Sequence, residues 1–135
     1  MSSNEQKLTE KEENEYLEKY FLGFDLKRLE AYTGNFVDYP MIMDLLPKIA
    51  ELYYTGKIKT SRVQLSHKLQ QAILVGVGLQ RKSLDDIAKE FEIEASQVKG
   101  LFMRMIRVFT KGFREIQGAK VAPAIENSKD MDKIW

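Results

Sequence analysis

The chain contains no cysteine and a single histidine, His67. No disulfide framework and no thiolate metal site can form. One imidazole cannot build a histidine-rich metal site or a catalytic dyad. No apolar run approaches the roughly 18 residues of a membrane span, so no membrane partner is expected. Prolines number three, and no stretch alternates with period two for long enough to read as a strand. The opening MSSNEQKLTEKEENEY is polar and acidic, unlike a signal peptide, and an intracellular protein is the expectation. Net charge is only +1, which by itself selects no partner.

What is present is enough to fold. At 135 residues, 44% hydrophobic and 30% charged, the chain suits one soluble domain with a real core. Charge is unevenly placed. Residues 1–20 carry six acids against three bases, whereas residues 96–120 carry Lys99, Arg104, Arg107, Lys111, Arg114 and Lys120 against Glu115 alone. A local excess of that kind points to an anionic partner for the segment.

Apolar spacing and caps predict helices throughout. Thr9 followed by Glu12 is a capping-box pattern for a helix ending near Tyr20 or Phe21. Asp25 can cap the next, through LKRLEAY, with Gly34 just past its end. Asp38 before Pro40 opens a helix that Pro47 must kink or restart, and which runs to Gly56. GKIKTS (56–61) reads as a loop. A further helical section begins between Ser61 and Ser66 and ends near Gly78. Ser83 with Asp86 caps LDDIAKEF, EIEA is a turn, and Ser96 starts a long helix to about Gln117. The expected organisation is one all-α domain over 1–117 and a poorly ordered tail over 118–135.

ILVGVGLQRKS (73–83) poses a choice between a phosphate loop and a packed helix end. A phosphate loop needs its glycines between a strand and a helix. Here they close a segment with helical spacing, Leu69, Ala72, Ile73 and Gly76 sharing a face, and no third glycine or Gly-Lys-Ser follows. Packing glycines are the reading.

Aligning Ala88 with the small residue of a helix-turn-helix puts Ile87, Phe91, Ile93, Val98 and Leu101 at the positions such a motif buries. The pair is expected at about 84–91 and 96–117. Glu92 departs from the motif, which usually has glycine there. The second helix opens with Glu94, Ala95, Ser96, Gln97 and Gly100, and only Gln97 suits base readout. The motif is read as scaffold.

Gly100, Arg104, Arg107, Lys111 and Arg114 are spaced four, three, four and three apart, along one helix face. Leu101, Phe102, Met105, Phe109, Phe113 and Ile116 form the apolar stripe opposite. Arg81 and Lys82 can extend the basic patch, with Lys99 at its start. Two readings stand: contacts to a sugar-phosphate backbone, or a solvated face. Tyr16, Tyr20, Phe21, Phe24 and Tyr32, at helical spacing, read as core, as do Met41, Met43, Met103 and Met105. His67 reads as a surface or cap residue, and Asp85 with Asp86 as charge on a helix dipole. No acid-base, nucleophile or metal constellation is visible.

Three segments carry a resemblance: DLKRLEAY at 25–32, VDY at 37–39 and GVGLQRKS at 76–83. With their surroundings, from about Leu8 to Gln117, they resemble the C-terminal region of the RNA cytidine acetyltransferases, in the wording of the eukaryotic, nucleolar members. The resemblance implies a parent enzyme that forms N4-acetylcytidine in 18S-type ribosomal RNA and in tRNA, using acetyl-CoA and ATP with Mg. It implies that this segment is the region usually described as tRNA-binding, non-catalytic and without a cofactor of its own. Its RNA contacts would fall on Arg81, Lys82, Lys99, Arg104, Arg107, Lys111 and Arg114. Localisation would be nucleolar in a eukaryote and cytoplasmic otherwise. The alternative role is an assembly module that packs on the parent's catalytic domains or mediates homodimerisation.

Overall fold

The computed structural model describes residues 9–59, 63–65 and 68–120. Six α-helices and no strand occur among them: α1 Glu10–Tyr20, α2 Gly23–Thr33, α3 Leu46–Tyr54, α4 Lys68–Leu74, α5 Leu84–Phe91 and α6 Ala95–Lys120. Two 3₁₀ turns, Tyr39–Met41 and Met43–Leu45, precede α3, and a π-helical turn, Val75–Leu79, extends α4. The all-α expectation holds. The proposed start of the third section at Ser61–Ser66 is not borne out at residues 63–65, which are not helical, and α4 begins at Lys68; Ser61, Ser66, His67 and residues 121–135 of the expected tail lie outside the described residues.

α6 is the central element. Its 26 residues make a rod of about 39 Å, and α1, α2, α4 and α5 pack against it. Its buried face carries Val98, Phe102, Met105, Ile106, Phe109, Phe113 and Ile116. Three phenylalanines form the spine. The Phe102 ring meets Tyr32 and Tyr39 at 5.8 and 5.3 Å, Phe109 meets Tyr53 at 5.7 Å, and Phe113 meets Phe21 at 5.2 Å. Such tilted and edge-on pairs add to plain burial. Leu101, placed in the stripe by spacing, is only partly buried.

Local signals set most helix starts. Thr9 and Ser83 both form complete capping boxes, with Glu12 and Asp86. Asp25 acts differently from expectation. α2 begins at Gly23, and the Asp25 carboxylate reaches back to accept from the Leu22 N–H at 3.1 Å. Pro47 restarts the chain: 3₁₀ turns occupy 39–45, and α3 begins one residue before the proline, which sits where no intrahelical donor is needed. Past Gly34, Asn35 rather than the glycine takes the left-handed conformation, φ 64°. α6 opens at Ala95, one residue before Ser96, and runs three residues past Gln117.

Four residues read as core are exposed. Phe24 is 70% exposed, Met41 and Met43 about half, and Phe91 of the helix-turn-helix 42%. Helical spacing says which residues share a face but not whether a neighbour covers it. Phe24 and Met41 instead flank Arg28, whose guanidinium lies 5.9 Å from the Phe24 ring and donates to the Met41 carbonyl at 2.8 Å. A charged residue is buried in their stead: Glu13 on α1 is fully enclosed and accepts from the Lys59 N–H at 2.7 Å, tying the segment after α3 to α1.

Candidate nucleic-acid interface

The glycines of GVGLQ are packing residues. Both are buried in the π turn. A Cβ on Gly76 would lie 2.7 Å from Ile87 Cδ1 of α5, and one on Gly78 would lie 2.7 Å from Ala50 Cβ and 3.0 Å from the Leu46 carbonyl oxygen of α3. The turn is therefore pressed between two helices, with no room for a phosphate. It ends on Arg81 at φ 56°, and the Lys82 N–H donates to the Gly76 carbonyl at 2.9 Å. Left-handed backbone closing a helix usually falls to glycine. Here it holds an exposed arginine at a fixed angle.

The helix-turn-helix forms as α5 and α6. Ile87, Ala88 and Val98 are buried between them, and Ile93 and Leu101 are partly buried. Glu92, the departure from the motif, adopts φ 57°, ψ 43°, the conformation for which glycine is the usual choice. The Ile93 N–H closes the turn onto the Ala88 carbonyl at 3.0 Å. The geometry of the motif is kept at the cost of a strained residue.

The basic row behaves as its spacing predicts. Lys99, Arg104, Arg107, Lys111 and Arg114 are all exposed; Arg104, Arg107, Lys111 and Arg114 lie away from Phe102, Phe109 and Phe113, whereas Lys99, three residues before Phe102, flanks that face. Arg114 is the exception in charge, because it is ion-paired with Glu30 of α2. Arg104, Arg107, Lys111 and Lys99 make no ion pair with any described residue. Three cations at successive helical turns thus face solvent uncompensated.

Arg81 and Lys82 stand apart from this row. They line a separate hollow of about 400 Å³ with Tyr39, Met43, Asp44 and Pro47. Tyr39 there rests on Phe102, which is roughly 200° around α6 from Arg104. Lys82 is paired with Glu90 at 2.5 Å. Asp44 is held by Arg28, which also grips Asp25. These contacts make Asp25 and Arg28 of DLKRLEAY a structural clip.

Beside the upper end of the row lies a groove of about 480 Å³, lined by Leu69, Ile93, Ser96, Gln97, Gly100, Leu101 and Arg104. Spacing placed Gly100 and Arg104 on one face, but α4, which supplies Leu69, is brought there only by the fold. Across Gln97 a second hollow is lined by Asp85, Glu92 and Glu94 together with Lys89, a neighbour of net acidic charge that disfavours phosphate. No group of three or more acidic or histidine side chains that could hold a metal occurs among the described residues, and no described helix is long and apolar enough to cross a membrane.

A small helical domain with a helix-turn-helix and a helix face whose cations lack ion-pair partners among the described residues has features shared with nucleic-acid-binding modules. The chain belongs to the family described as a possible tRNA binding domain, whose model matches residues 1–134. It is 42% identical over 117 residues to the RNA cytidine acetyltransferase of Mus musculus, covering 87% of this chain and 11% of that protein. Against the RNA cytidine acetyltransferases of Schizosaccharomyces pombe and Saccharomyces cerevisiae it is 38% and 39% identical, covering 90% and 85% of this chain and 12% and 11% of those proteins. The resemblance read from DLKRLEAY, VDY and GVGLQRKS is borne out. The chain spans about one-ninth of the length of these relatives.

Proposed function

We propose that this chain is the RNA-binding module of an RNA cytidine acetyltransferase, holding structured RNA for chemistry done elsewhere in the parent protein. The parent would form N4-acetylcytidine in 18S-type ribosomal RNA and in tRNA with acetyl-CoA and ATP, the latter with Mg, and in a eukaryote would work in the nucleolus. The observation that carries the reading is the row Arg104, Arg107 and Lys111, exposed and without an ion-pair partner among the described residues, on the outer face of the central helix. Phosphates at successive turns fit such a row, and phosphate contacts fix position more than sequence. Lys99 lies at its start and Arg114 at its end, the latter already engaged with Glu30. Arg81, held in left-handed backbone, and Lys82 are assigned as secondary RNA contacts on a different face.

The test is a salt titration of binding to a hairpin RNA. Wild type should show a steep loss of affinity with salt, about 0.7–0.9 in log–log slope per phosphate engaged. Arg104→Glu with Lys111→Glu should weaken binding to all RNAs and flatten the slope, while the far-ultraviolet circular dichroism stays helical. A folded double variant with unchanged affinity and slope would overturn the reading. A second reading, docking on the parent's other domains or on another copy, is favoured by the exposed Phe24, Met41 and Met43 around Arg28. Under it, the double reversal leaves RNA binding untouched, and Phe24→Ser disrupts assembly.

A further inference from the structure

Gly100 sits within the first two turns of α6, exposed, and a Cβ built on it would meet nothing within 4 Å. Glycine inside a helix is about 1 kcal/mol less favourable than alanine. Gly76 and Gly78 have close neighbours that require it, and Gly100 has none. What its missing side chain does is leave open the floor of the groove beside the basic row.

The chemistry of that groove is mixed in a particular order. Leu69, Ile93 and Leu101, all partly buried against the core, offer an apolar wall. Ser96 and Gln97 are exposed at the rim and between them supply donors and acceptors. Arg104 lines the groove, and from it the row continues to Arg107 and Lys111. On the far side of Gln97 lies the hollow of Asp85, Glu92 and Glu94, where three acids outweigh Lys89 and disfavour phosphate. A strand leaving the groove is thereby steered along the row. Its volume, about 480 Å³, falls in the range of roughly 300–1,000 Å³ of small-ligand sites.

We propose that this groove receives one unpaired nucleotide of the RNA lying on the basic row. Its base would rest on Leu69, Ile93 and Leu101, its edge on Ser96 and Gln97, and its phosphate at Arg104. The inference rests on the RNA-binding reading above. Extruding a base from a duplex costs a few kcal/mol, so the groove selects RNA that already carries a bulged or single-stranded nucleotide, the usual target of specific RNA recognition.

Two hairpins of equal length test it, one fully paired and one with a single bulged 2-aminopurine. Wild-type protein should bind the bulged hairpin about tenfold more tightly, the gain expected when roughly 55 Å² of apolar surface leaves water, with a saturable change in 2-aminopurine fluorescence. Gly100→Leu fills the groove and should reduce that preference to less than about twofold with the helical circular dichroism intact. Gln97→Ala, a surface change, should reduce discrimination among the four bulged bases. Equal wild-type affinity for the two hairpins would overturn the proposal, as would a bulge preference that survives Gly100→Leu or base discrimination that survives Gln97→Ala. The phosphate row is read separately through the salt slope of the paired hairpin. A slope lost on charge reversal without any bulge preference sinks the groove and leaves the row standing. A bulge preference abolished by Gly100→Leu with no charge-reversal effect on the slope does the opposite.

Discussion

Arg28 grips Asp44 with both arms of its guanidinium, Nη1 to Oδ1 at 2.8 Å and Nη2 to Oδ2 at 2.9 Å, across 16 residues of sequence. The same side chain donates to Asp25 Oδ1 and to the Met41 carbonyl, each at 2.8 Å. It fastens α2 to the 3₁₀ turns that position α3. A lysine has one charged nitrogen and cannot make this planar fork. Arg28→Lys should therefore lower stability by about 1 kcal/mol, since three of the four bonds lie at exposed positions and water weakens them. Urea denaturation checks this, and an unchanged midpoint would remove the clip from the account.

The same clip predicts an acid dependence. The Arg28 hydrogen bond holds the Asp44 carboxyl below its ordinary value. For Asp25, burial pushes upward, but the bonds from Arg28 and from the Leu22 N–H, with the nearby positive charges, outweigh it and the net direction is down. Lowered carboxyls contribute stability that is complete above their unfolded value, about 3.9, and is lost as pH falls through their lower folded values. Asp44→Asn should cost stability at pH 7 and show a shallower loss between about pH 4 and pH 2, read from urea midpoints across that range.

The two glycines of the π turn should differ in their tolerance of alanine. At Gly76 the added methyl meets only the Ile87 side chain, Cδ1 at 2.7 Å and Cγ1 at 3.1 Å, which must shift within the core. At Gly78 it meets Ala50 Cβ and the Leu46 backbone oxygen, which are fixed to the α3 backbone and cannot rotate away. Gly76→Ala should cost less than Gly78→Ala, which should cost about 1–3 kcal/mol through overpacking, as should the larger Gly76→Leu. Thermal melts of the three variants rank them. Equal tolerance at both glycines would mean that α3 yields more readily than its contacts indicate.

Glu92 should be improvable. A non-glycine residue in left-handed backbone is disfavoured by about 1–2 kcal/mol, and Glu92 sits at φ 57°. Glu92→Gly should raise the melting temperature by several degrees, about 1 kcal/mol being worth a few degrees in a domain of this size. RNA affinity should not fall, since an acid beside the interface is removed.

Arg107 and Arg114 share a face but not a circumstance. Arg107 has no acid partner among the described residues, while Arg114 is paired with Glu30. Arg107→Ala should reduce the salt slope of RNA binding by about 1. Arg114→Ala should reduce it by less, because that charge is already partly neutralised. Parallel titrations on one hairpin decide it, and a larger effect at Arg114 would move the RNA path toward α2.

The sequence by itself determined what is local. The capping boxes at Thr9 and Ser83, the helix-turn-helix spacing around Ala88, the restart at Pro47 and the solvent-facing row from Arg104 to Arg114 depend on residues within a turn or two of each other. Hydrogen bonds at i+3 and the 3.6-residue period fix them wherever the helix is placed. Only the tertiary structure decided that Phe24, Met41 and Met43 lie outside while Glu13 lies inside, since periodicity marks a face without saying what covers it. The same holds for Arg28 with Asp44, for Glu30 on Arg114, and for Leu69 of α4 closing a groove over Gly100. These depend on elements distant in sequence meeting at one place, and that meeting is set by how the other helices pack around α6.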